Sequence, residues 1–261
     1  MEIKGIKWTN YTLPDCIVCL KLGDRYGSEY VNNLYKAVRK YTDIDFLCYT
    51  DDWEGIDDEV LIVPHEARVP KNKWPSPEKL LHKKPSSGWW PAWAKLELFG
   101  APELKKYYNK KIFFDLDIVI QNDITPILEY ETNWAIVDTS HWKGERWIKN
   151  FPNGKAWNSS CIIFKDNQWV YDRYEKNWEN FVKEYAGIDD FFNGEYFKPE
   201  LLPPWFYSYN KGSKPEHFYE SGEQPYNKYQ SDFLICLFHQ KPDVHELESS
   251  NILKKIWNDS V

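Results

Sequence analysis

The chain has 261 residues and a mass of 31.3 kDa, a length that fits one large domain. Its 33 basic and 40 acidic side chains give a net charge of −7, so the chain lacks the global positive field that a nucleic-acid-binding protein uses. Hydrophobic residues at 42% and charged residues at 28% lie near globular averages and exclude disorder over most of the length.

Short apolar runs alternate with segments of helical periodicity along the chain. The first run is followed by Gly23, Gly27 and a segment whose apolar residues recur at helical spacing from Val31 to Val38. The pattern predicts strands at residues 16–20, 46–49, 60–63, 111–120, 134–138 and 161–164. It predicts further helices at residues 92–99, 168–185 and 244–257. Strands that alternate with helices indicate an α/β domain with a mostly parallel central sheet flanked by helices, followed by an irregular C-terminal region.

Residues 64–88 are rich in Pro, Lys and Ser and show no periodicity. A compact domain rarely keeps so long a segment without structure unless it is functional, so we interpret it as a mobile active-site loop. Its basic residues could contact an anionic acceptor at a membrane surface, which makes peripheral membrane contact one hypothesis and a solvated loop the other. The residues concerned are Lys71, Lys73, Lys79, Lys83 and Lys84, together with Trp74.

The five cysteines are an odd number, and three lie in apolar runs where a thiol behaves as a small hydrophobe. Cys16 and Cys19 have the spacing of a redox or zinc pair, but residues three apart in a strand face opposite sides. We interpret both as core thiols in a reducing compartment. The longest apolar stretch in the later part of the chain, residues 233–238, is too short to span a bilayer. We therefore expect a cytoplasmic protein.

Two carboxylates, Asp115 and Asp117, interrupt the apolar run at residues 111–120. Two residues apart in a strand, they would share one face, where unpaired buried charges would cost several kcal/mol. Hard oxygen ligands of this kind suit Mg²⁺ or Mn²⁺. The alternative is that the pair lies just past the strand end and caps the next turn. Asp43 and Asp45 repeat the spacing in a polar turn, which is typical of solvated residues.

In α/β proteins a cation at the carboxyl end of a strand commonly neutralises a nucleotide diphosphate. The motifs of this chain, taken in order, resemble those of GT-A fold nucleotide-sugar glycosyltransferases of the type that includes glycogenin and the bacterial lipopolysaccharide galactosyltransferases. The resemblance covers roughly residues 16–242. It rests on Lys21-Leu22-Gly23, Tyr49-Thr50-Asp51-Asp52, the segment 88–99 with Lys95, Asp115-Leu116-Asp117, Asn158-Ser159-Ser160, Gly187-Ile188-Asp189-Asp190 and Phe238-His239-Gln240-Lys241-Pro242.

The resemblance implies a single Rossmann-like GT-A domain over residues 1–261, with a nucleotide-binding half at about 12–138 and an acceptor-binding half at about 139–261 that includes the C-terminal helix. It implies a role for each motif residue. Contacts to the donor are expected from Lys21, Asp51, Asp52, Lys95, Asp115, Asn158 and Lys241. Metal ligands are expected at Asp115, Asp117 and His239, and catalytic carboxylates at Asp189 and Asp190. The His-Gln-Lys-Pro segment is shorter than the usual family element, which makes Lys241 a less secure phosphate contact than His239 is a ligand.

The implied activity is a metal-dependent hexosyl transfer. With Mn²⁺ or Mg²⁺, the enzyme would move a sugar from a nucleotide-diphosphate sugar, with a UDP-sugar favoured, to a hydroxyl of a glycan, a lipid-linked sugar or a polysaccharide. Resemblance to glycogenin implies retention of the anomeric configuration, whereas an Asp base at 189 or 190 would suit inversion, and both stay open. The oligomeric state also stays open.

Other interpretations fit parts of the same pattern. A sugar-phosphate nucleotidyltransferase would also hold a cation by carboxylates, although residues 22–27 make a poor phosphate loop. Aromatic residues could form stacking walls for the donor and acceptor sugars, and the candidates are Trp89, Trp90, Trp93, Trp205, Phe206, Tyr207 and Tyr209. A non-catalytic carbohydrate-binding module could also use aromatic walls, with a structural Ca²⁺ held by the Asp pair. A glycoside hydrolase would need only two carboxylates. For individual motifs, the alternatives are purely structural roles: a turn at residues 158–161, a helix cap formed by Asp189 and Asp190, and a hydrogen-bonded histidine at the end of a strand at position 239.

Overall fold

A computed structural model describes residues 12–66, 90–149, 156–195, 197–214, 229–239 and 241–259. The strands are β1 (Cys16–Lys21), β2 (Asp45–Thr50), β3 (Leu61–Pro64), β4 (Lys111–Phe114), β5 (Ile118–Ile120), β6 (Trp134–Asp138), β7 (Trp157–Phe164), β8 (Glu200–Leu202), β9 (Phe206–Ser208) and β10 (Ile235–Leu237). The helices are α1 (Ser28–Arg39), α2 (Trp90–Trp93), α3 (Lys95–Leu98), α4 (Pro102–Tyr107), α5 (Thr125–Leu128), α6 (Ser140–Ile148), α7 (Gln168–Glu175), α8 (Trp178–Glu184), α9 (Ile188–Gly194) and α10 (Ile252–Asn258). The predicted loop falls mainly on residues 67–89, outside the described ranges.

The central sheet has seven strands in the order β3-β2-β1-β4-β7-β6-β8. Neighbouring strands in this sheet are parallel, except that β7 runs antiparallel to both β4 and β6. The prediction of an α/β fold with a mostly parallel central sheet is therefore confirmed. The carboxyl ends of β1, β2, β4 and β6 meet at one edge, which is where parallel sheets of this kind bind ligands.

Both faces of the sheet are buried, as the side chains of β1 show. Ile17 and Cys19 belong to one hydrophobic cluster, whereas Cys16 and Val18 belong to the other. This alternation follows from the two-residue period of a strand. It confirms that Cys16 and Cys19 face opposite sides, and all five cysteines of the chain are buried and free. Within the described ranges no helix combines the length and the apolarity needed to cross a bilayer.

Helix α1 confirms the helix predicted after Gly27. Its apolar residues Val31, Leu34, Tyr35 and Val38 are buried at the predicted spacing. Those positions form one stripe because residues three and four apart share a face of an α-helix. The stripe packs into the cluster that also holds β1 and β2 side chains, so α1 covers one face of the sheet.

The single strand predicted over residues 111–120 is wrong. Strand β4 ends at Phe114 and β5 begins at Ile118 in a second sheet, whose order is β5-β10-β9. Residues 115–117 form the turn between the two sheets. Both carboxylates therefore lie outside the ladder, where the turn exposes them in part. The apolar residues on either side hid this break, because periodicity does not separate one long buried strand from two short ones.

Three predicted helices also differ from the structure. Residues 168–185 form two helices, α7 and α8, because Asn177 leaves the helical conformation and asparagine favours helix ends. Residues 244–257 form a 3-10 turn with a capping box from Asp243 and Glu246, and then α10, capped by Asn251. Residues 92–99 contribute to two short helices, α2 and α3, that meet at Ala94.

Candidate active site

A pocket opens at the carboxyl edge of the central sheet, between the ends of β1 and β4. The end of β1 contributes one wall, the turn after β4 contributes the floor, and the α2–α3 segment contributes a basic side chain. The lining residues are Leu20, Lys21, Leu22, Tyr26, Ala92, Lys95, Asp115, Leu116 and Asp117. Four of the polar residues predicted for the site, Lys21, Lys95, Asp115 and Asp117, thus line one pocket.

Lys95 and Asp115 form an ion pair inside this pocket. The Nζ atom of Lys95 lies 2.5 Å from Oδ1 and 2.8 Å from Oδ2 of Asp115, and both side chains are mostly buried. Charge pairs of this kind are strong because little water screens them. The turn that carries Asp115 is fixed by its main-chain N–H, which donates to the Ser160 carbonyl at 2.9 Å. Lys95 therefore holds one carboxylate of the pair in a defined place.

Asp117 accepts a hydrogen bond from the hydroxyl of Tyr26 at 3.0 Å. Burial and the neighbouring Asp115 carboxylate raise the pKa of Asp117 to about 7, while the Lys95 ammonium opposes that shift. Two carboxylates close together and partly buried favour a positive partner, because each disfavours the ionisation of the other. A divalent cation is a partner of that kind.

The main chain that leads into His239 runs beside Asp117 because β10 pairs with β5. The Phe238 N–H donates to the Asp117 carbonyl at 2.9 Å, and the His239 ring stacks on Trp142. Its Nδ1 atom is buried and finds no hydrogen-bond partner among the described residues. Burial lowers the pKa of His239 to about 4, and the positive charges of Lys143 and Lys211 add to the shift. The ring is therefore neutral at neutral pH, which is the form that binds metals.

The donor set of Asp115, Asp117 and His239 fits a divalent cation in chemistry, and the unpartnered Nδ1 of His239 is a free donor atom. In the part of the chain that the structure describes, no three His, Cys, Asp or Glu side chains are gathered closely enough to enclose a metal ion. Asp115 and Asp117 thus share one pocket, whereas His239 approaches them only through the main-chain contact of its neighbour Phe238 with Asp117.

The exit of β1 holds a second cluster of predicted donor residues. The buried Nζ of Lys21 donates to the Asp52 carbonyl at 2.9 Å and pairs with its carboxylate at 3.3 Å. The Asp51 carboxylate accepts from the main-chain N–H of Gly23 at 3.1 Å. Gly23 has φ of 70°, a conformation that glycine adopts without strain. Lys21, Asp51 and Asp52 therefore form one network beside the pocket.

Asp189 is held by the start of β7. Its carboxylate accepts from the Ser159 N–H at 3.0 Å and from the Asn158 amide at 3.4 Å, and its carbonyl accepts from the Trp157 indole at 3.2 Å. In the same part of β7, the register against β6 shifts between Ile136 and Val137. Burial raises the pKa of Asp189, and the positive charges of Lys143 and Lys95 oppose the shift.

Ser159 links Asp189 to the pocket, since the Nζ of Lys95 lies 3.5 Å from both its carbonyl and its hydroxyl oxygen. Asn158 also accepts from the Ser160 N–H through its own side chain at 2.9 Å. The predicted sugar-contact motif at residues 158–160 and the carboxylate of Asp189 thus lie together. Asp190 is half-buried in the first turn of α9 beside them.

Two groups of predicted residues lie elsewhere. Lys241 is exposed, and its Nζ pairs with Asp243 at 2.8 Å and with Glu246 at 2.7 Å, which raises the pKa of Lys241. Its proposed phosphate contact stays a prediction. Most of the predicted aromatic walls are wrong, because these side chains are buried in the core: Trp93, Phe206, Tyr207 and Tyr209. Trp205 packs against Tyr130 at a ring-centre distance of 5.7 Å.

Sequence reasoning missed Tyr26 and Arg25. Tyr26 donates to Asp117, and Arg25 pairs with the buried Asp243 at 3.1 Å, so the segment after β1 ties the pocket to the C-terminal region. The only local signal was the position of this segment between Gly23 and Gly27, which predicts a loop and not the contacts that it makes.

Residues 91–196 match the family model described as Glycosyl transferase family 8. This segment contains Lys95, Asp115, Asp117, Asn158, Asp189 and Asp190. A search of curated proteins found no match.

Among solved structures, the galactosyltransferase LgtC, in complex with donor and acceptor sugar analogs, matches with a TM-score of 0.60 at 12% identity, over 94% of this chain and 95% of that one. The bifunctional glycosyltransferase WbbM matches with a TM-score of 0.60 at 12% identity, over 96% of this chain and 50% of that one. The glycosyltransferase GlyE of Streptococcus pneumoniae matches with a TM-score of 0.52 at 12% identity, over 95% of this chain and 60% of that one. The resemblance to GT-A fold glycosyltransferases that the motifs indicated is confirmed.

Proposed function

We propose that this chain, a glycosyltransferase of the family 8 type, transfers a hexose from a nucleotide-diphosphate sugar to a hydroxyl acceptor and depends on a divalent cation. A UDP-sugar is the favoured donor, and Mn²⁺ or Mg²⁺ is the proposed cation. The acceptor class is a glycan, a lipid-linked sugar or a polysaccharide.

One observation carries this proposal. Asp115 and Asp117 share the pocket at the carboxyl edge of the sheet with Lys95, and Phe238, the residue before His239, bonds to the Asp117 main chain. Two carboxylates and an imidazole suit Mn²⁺ or Mg²⁺, and the lysine ammonium adds a fixed positive charge where a diphosphate would bind. This combination is expected of a site that cleaves a sugar–diphosphate bond.

Asp115, Asp117 and His239 would hold the cation, which when bound stabilises the negative charge that develops on the leaving diphosphate. Lys95 keeps Asp115 in place. Its ammonium adds a positive charge that would also stabilise the leaving diphosphate. In the transfer, the acceptor oxygen forms a bond to the anomeric carbon while the bond from that carbon to the diphosphate oxygen breaks. The nucleoside diphosphate leaves with the bonding electron pair, and the acceptor hydroxyl proton passes to a base or to the leaving phosphate.

Asp189 is the proposed carboxylate nearest the transferred sugar. It is anchored by Ser159 and Asn158, and its pKa is raised by burial, as suits a group that exchanges a proton. Asp190 is the second candidate at this position. Asn158 is proposed as a sugar contact, and Lys21, Asp51 and Asp52 as contacts to the base and ribose.

The chain organisation is proposed on the same basis, with donor contacts from residues of about 12–138 and acceptor contacts from about 139–261 in one domain. The free, buried state of all five cysteines supports a reducing compartment such as the cytoplasm. Contact of residues 64–88 with a membrane-bound acceptor remains part of this proposal.

The test measures thermal unfolding of the protein with nucleoside diphosphates and nucleotide-sugars, each with and without Mn²⁺. A ligand at 100 times its Kd adds about 2.7 kcal/mol to the free energy of unfolding, enough for a clear rise in Tm. We expect a rise that needs both UDP and Mn²⁺. Asp117→Asn abolishes it, whereas Asp43→Asn, which alters the solvated member of the same sequence spacing, retains it.

A product assay separates the alternatives. A glycosyltransferase releases a nucleoside diphosphate from the nucleotide-sugar, whereas a sugar-phosphate nucleotidyltransferase releases pyrophosphate from a nucleoside triphosphate. A Tm rise that is unaffected by Asp117→Asn, or no response to any nucleotide, would contradict the proposal.

A further inference from the structure

A second cavity, of about 720 Å³, lies away from the reaction pocket. Its volume falls in the range of about 300–1,000 Å³ that small-molecule sites occupy. It lies between the first residue of β6, helix α7 and the segment after α9, and none of its lining residues lines the reaction pocket. The proposed function assigns no role to it.

Three aromatic side chains form one wall of this cavity. The rings of Trp134 and Trp169 meet edge to face with centres 5.5 Å apart, and Phe197 lies 5.2 Å from Trp169 and 5.8 Å from Trp134. Trp134 and Phe197 are buried, but Trp169 is 48% exposed. Its neighbours hold it in place, so it presents a large apolar surface that is already ordered.

Charged side chains of both signs surround this wall. Arg173 pairs with Glu195, its NH2 and Nε atoms lying 2.5 Å and 2.6 Å from Oε2. Lys176 and Lys198 are exposed, and within the described part of the chain neither side chain has a carboxylate partner. The cavity thus offers both donors and acceptors. That mixture fits a ligand with many hydroxyl groups better than a phosphate, which the carboxylates would repel.

Trp134 supplies an independent observation. It is 6% exposed, and its buried indole Nε1 has no acceptor in the part of the chain that the structure describes. A buried donor without a partner costs about 1–3 kcal/mol, so such atoms commonly point to an absent water or ligand. Trp134 lines the cavity, so a hydroxyl group bound there is one candidate for the missing acceptor.

The position of the cavity separates it from the reaction centre. Trp134 begins β6 and Asp138 ends it, and β6 runs in the same direction as β4, whose carboxyl end leads to Asp115. The cavity therefore lies at the opposite edge of the sheet, about 13 Å away along the strands at about 3.3 Å per residue. A single bound sugar does not reach both sites.

We propose that this cavity is a second carbohydrate-binding site, which stacks a saccharide unit on Trp169 and hydrogen-bonds its hydroxyls through Arg173, Glu195 and Lys198. A sugar ring fits this arrangement because one of its faces is apolar while its edge both donates and accepts hydrogen bonds. The site would hold a glycan independently of the nucleotide and of any cation.

The test is calorimetric titration of the full chain, without nucleotide or metal, with four defined oligosaccharides: maltotetraose, cellotetraose, tetra-N-acetylchitotetraose and tetragalacturonate. We expect at least one to bind. Trp169→Ala weakens that binding about tenfold or more, as truncation of a central tryptophan does in other interfaces. Tyr107→Ala, which removes an aromatic residue of similar exposure (52%) outside both pockets, leaves the Kd unchanged.

Two further variants test whether a loss of binding comes from this site and not from a disturbed core. Because Trp169 also contacts buried rings, Lys198→Ala tests the site at an exposed residue whose loss does not disturb the core, and we expect a weakening of about threefold. Asp117→Asn, which alters the reaction pocket, leaves oligosaccharide binding intact. Binding of none of the four probes, wild-type affinity in Trp169→Ala, or loss of binding in Asp117→Asn would overturn the proposal.

Discussion

The main-chain N–H of Phe238 donates to the carbonyl oxygen of Asp117 at 2.9 Å, which joins the two halves of the chain at the proposed metal site. This bond extends the β5–β10 ladder by one step, from Ile118 opposite Leu237 to Asp117 opposite Phe238. It places the main chain that leads into His239 beside Asp117, although the two segments are far apart in sequence. The C-terminal region therefore reaches the turn after β4 that carries the two carboxylates.

Replacement of Lys95 tests the fixed charge beside Asp115. Lys95→Met keeps most of the length of the side chain and removes the ammonium, so we expect kcat/KM for sugar transfer to fall about 10²-fold or more, the usual effect of losing one charge-stabilising group. Lys95→Arg, which keeps the charge, loses less. Lys105→Met removes an exposed ammonium that contacts Gln168, and steady-state kinetics should show no change for it. Equal kcat/KM for Lys95→Met and the wild type would contradict the role of Lys95.

Tyr26 is a positioning residue for Asp117. Tyr26→Phe removes only the hydroxyl that donates to Oδ2, and we expect the Kd for Mn²⁺ in the presence of UDP to rise about tenfold, as it does when outer-shell partners of metal ligands are lost. The matched control is Tyr35→Phe, which removes a hydroxyl that donates to Glu59 at 2.6 Å, far from the pocket. Titration of Mn²⁺ followed by electron paramagnetic resonance measures both. Similar affinities for the two variants would exclude the positioning role.

The sequence predicted the elements whose burial follows a regular period. Strands β1, β2 and β6 lie within one residue of their predicted bounds, and α1 contains the predicted apolar stripe, because most of the apolar positions that each period predicts are buried. The break after Phe114 has no such signal, since β4 and β5 are equally apolar and only their partners differ. Those partners, β7 and β10, come from distant parts of the chain.

The residues of the candidate site also differ in how well the sequence predicts them. Lys95, Asp115 and Asp117 were predictable because their residue types and order resemble a known motif, and they do line one pocket. The contact of Tyr26 with Asp117 was not predictable from the sequence, because it depends on how the segment after β1 folds over the turn that follows β4. Too many aromatic residues were predicted to contact ligand, since composition alone does not distinguish a ring in the core from an exposed one.

Asp189 and Asp190 can be separated by parallel substitutions. Asp189 accepts from Ser159 and Asn158 beside Lys95, so Asp189→Asn should lower kcat about 10²-fold or more while the Tm rise with UDP and Mn²⁺ persists. Asp190→Asn, one residue further along α9, should change kcat much less. Transfer kinetics together with thermal shifts measure both effects. A larger loss in Asp190→Asn would assign the chemistry to Asp190 instead.

His239 provides the last test, because its role as a ligand can be separated from its packing. His239 and His141 both pack on Trp142, with ring centres 6.2 Å and 4.7 Å away, but the contacts of their ring nitrogen atoms differ. The Nε2 of His141 contacts the Phe206 carbonyl at 3.1 Å, whereas the Nδ1 of His239 has no partner within the described ranges. We expect His239→Gln to raise the Kd for Mn²⁺ more than tenfold, and His141→Gln to lower the Tm without changing that Kd. Mn²⁺ titration and thermal unfolding of both variants give the answer, and an unchanged Kd in His239→Gln would remove His239 from the proposed ligand set.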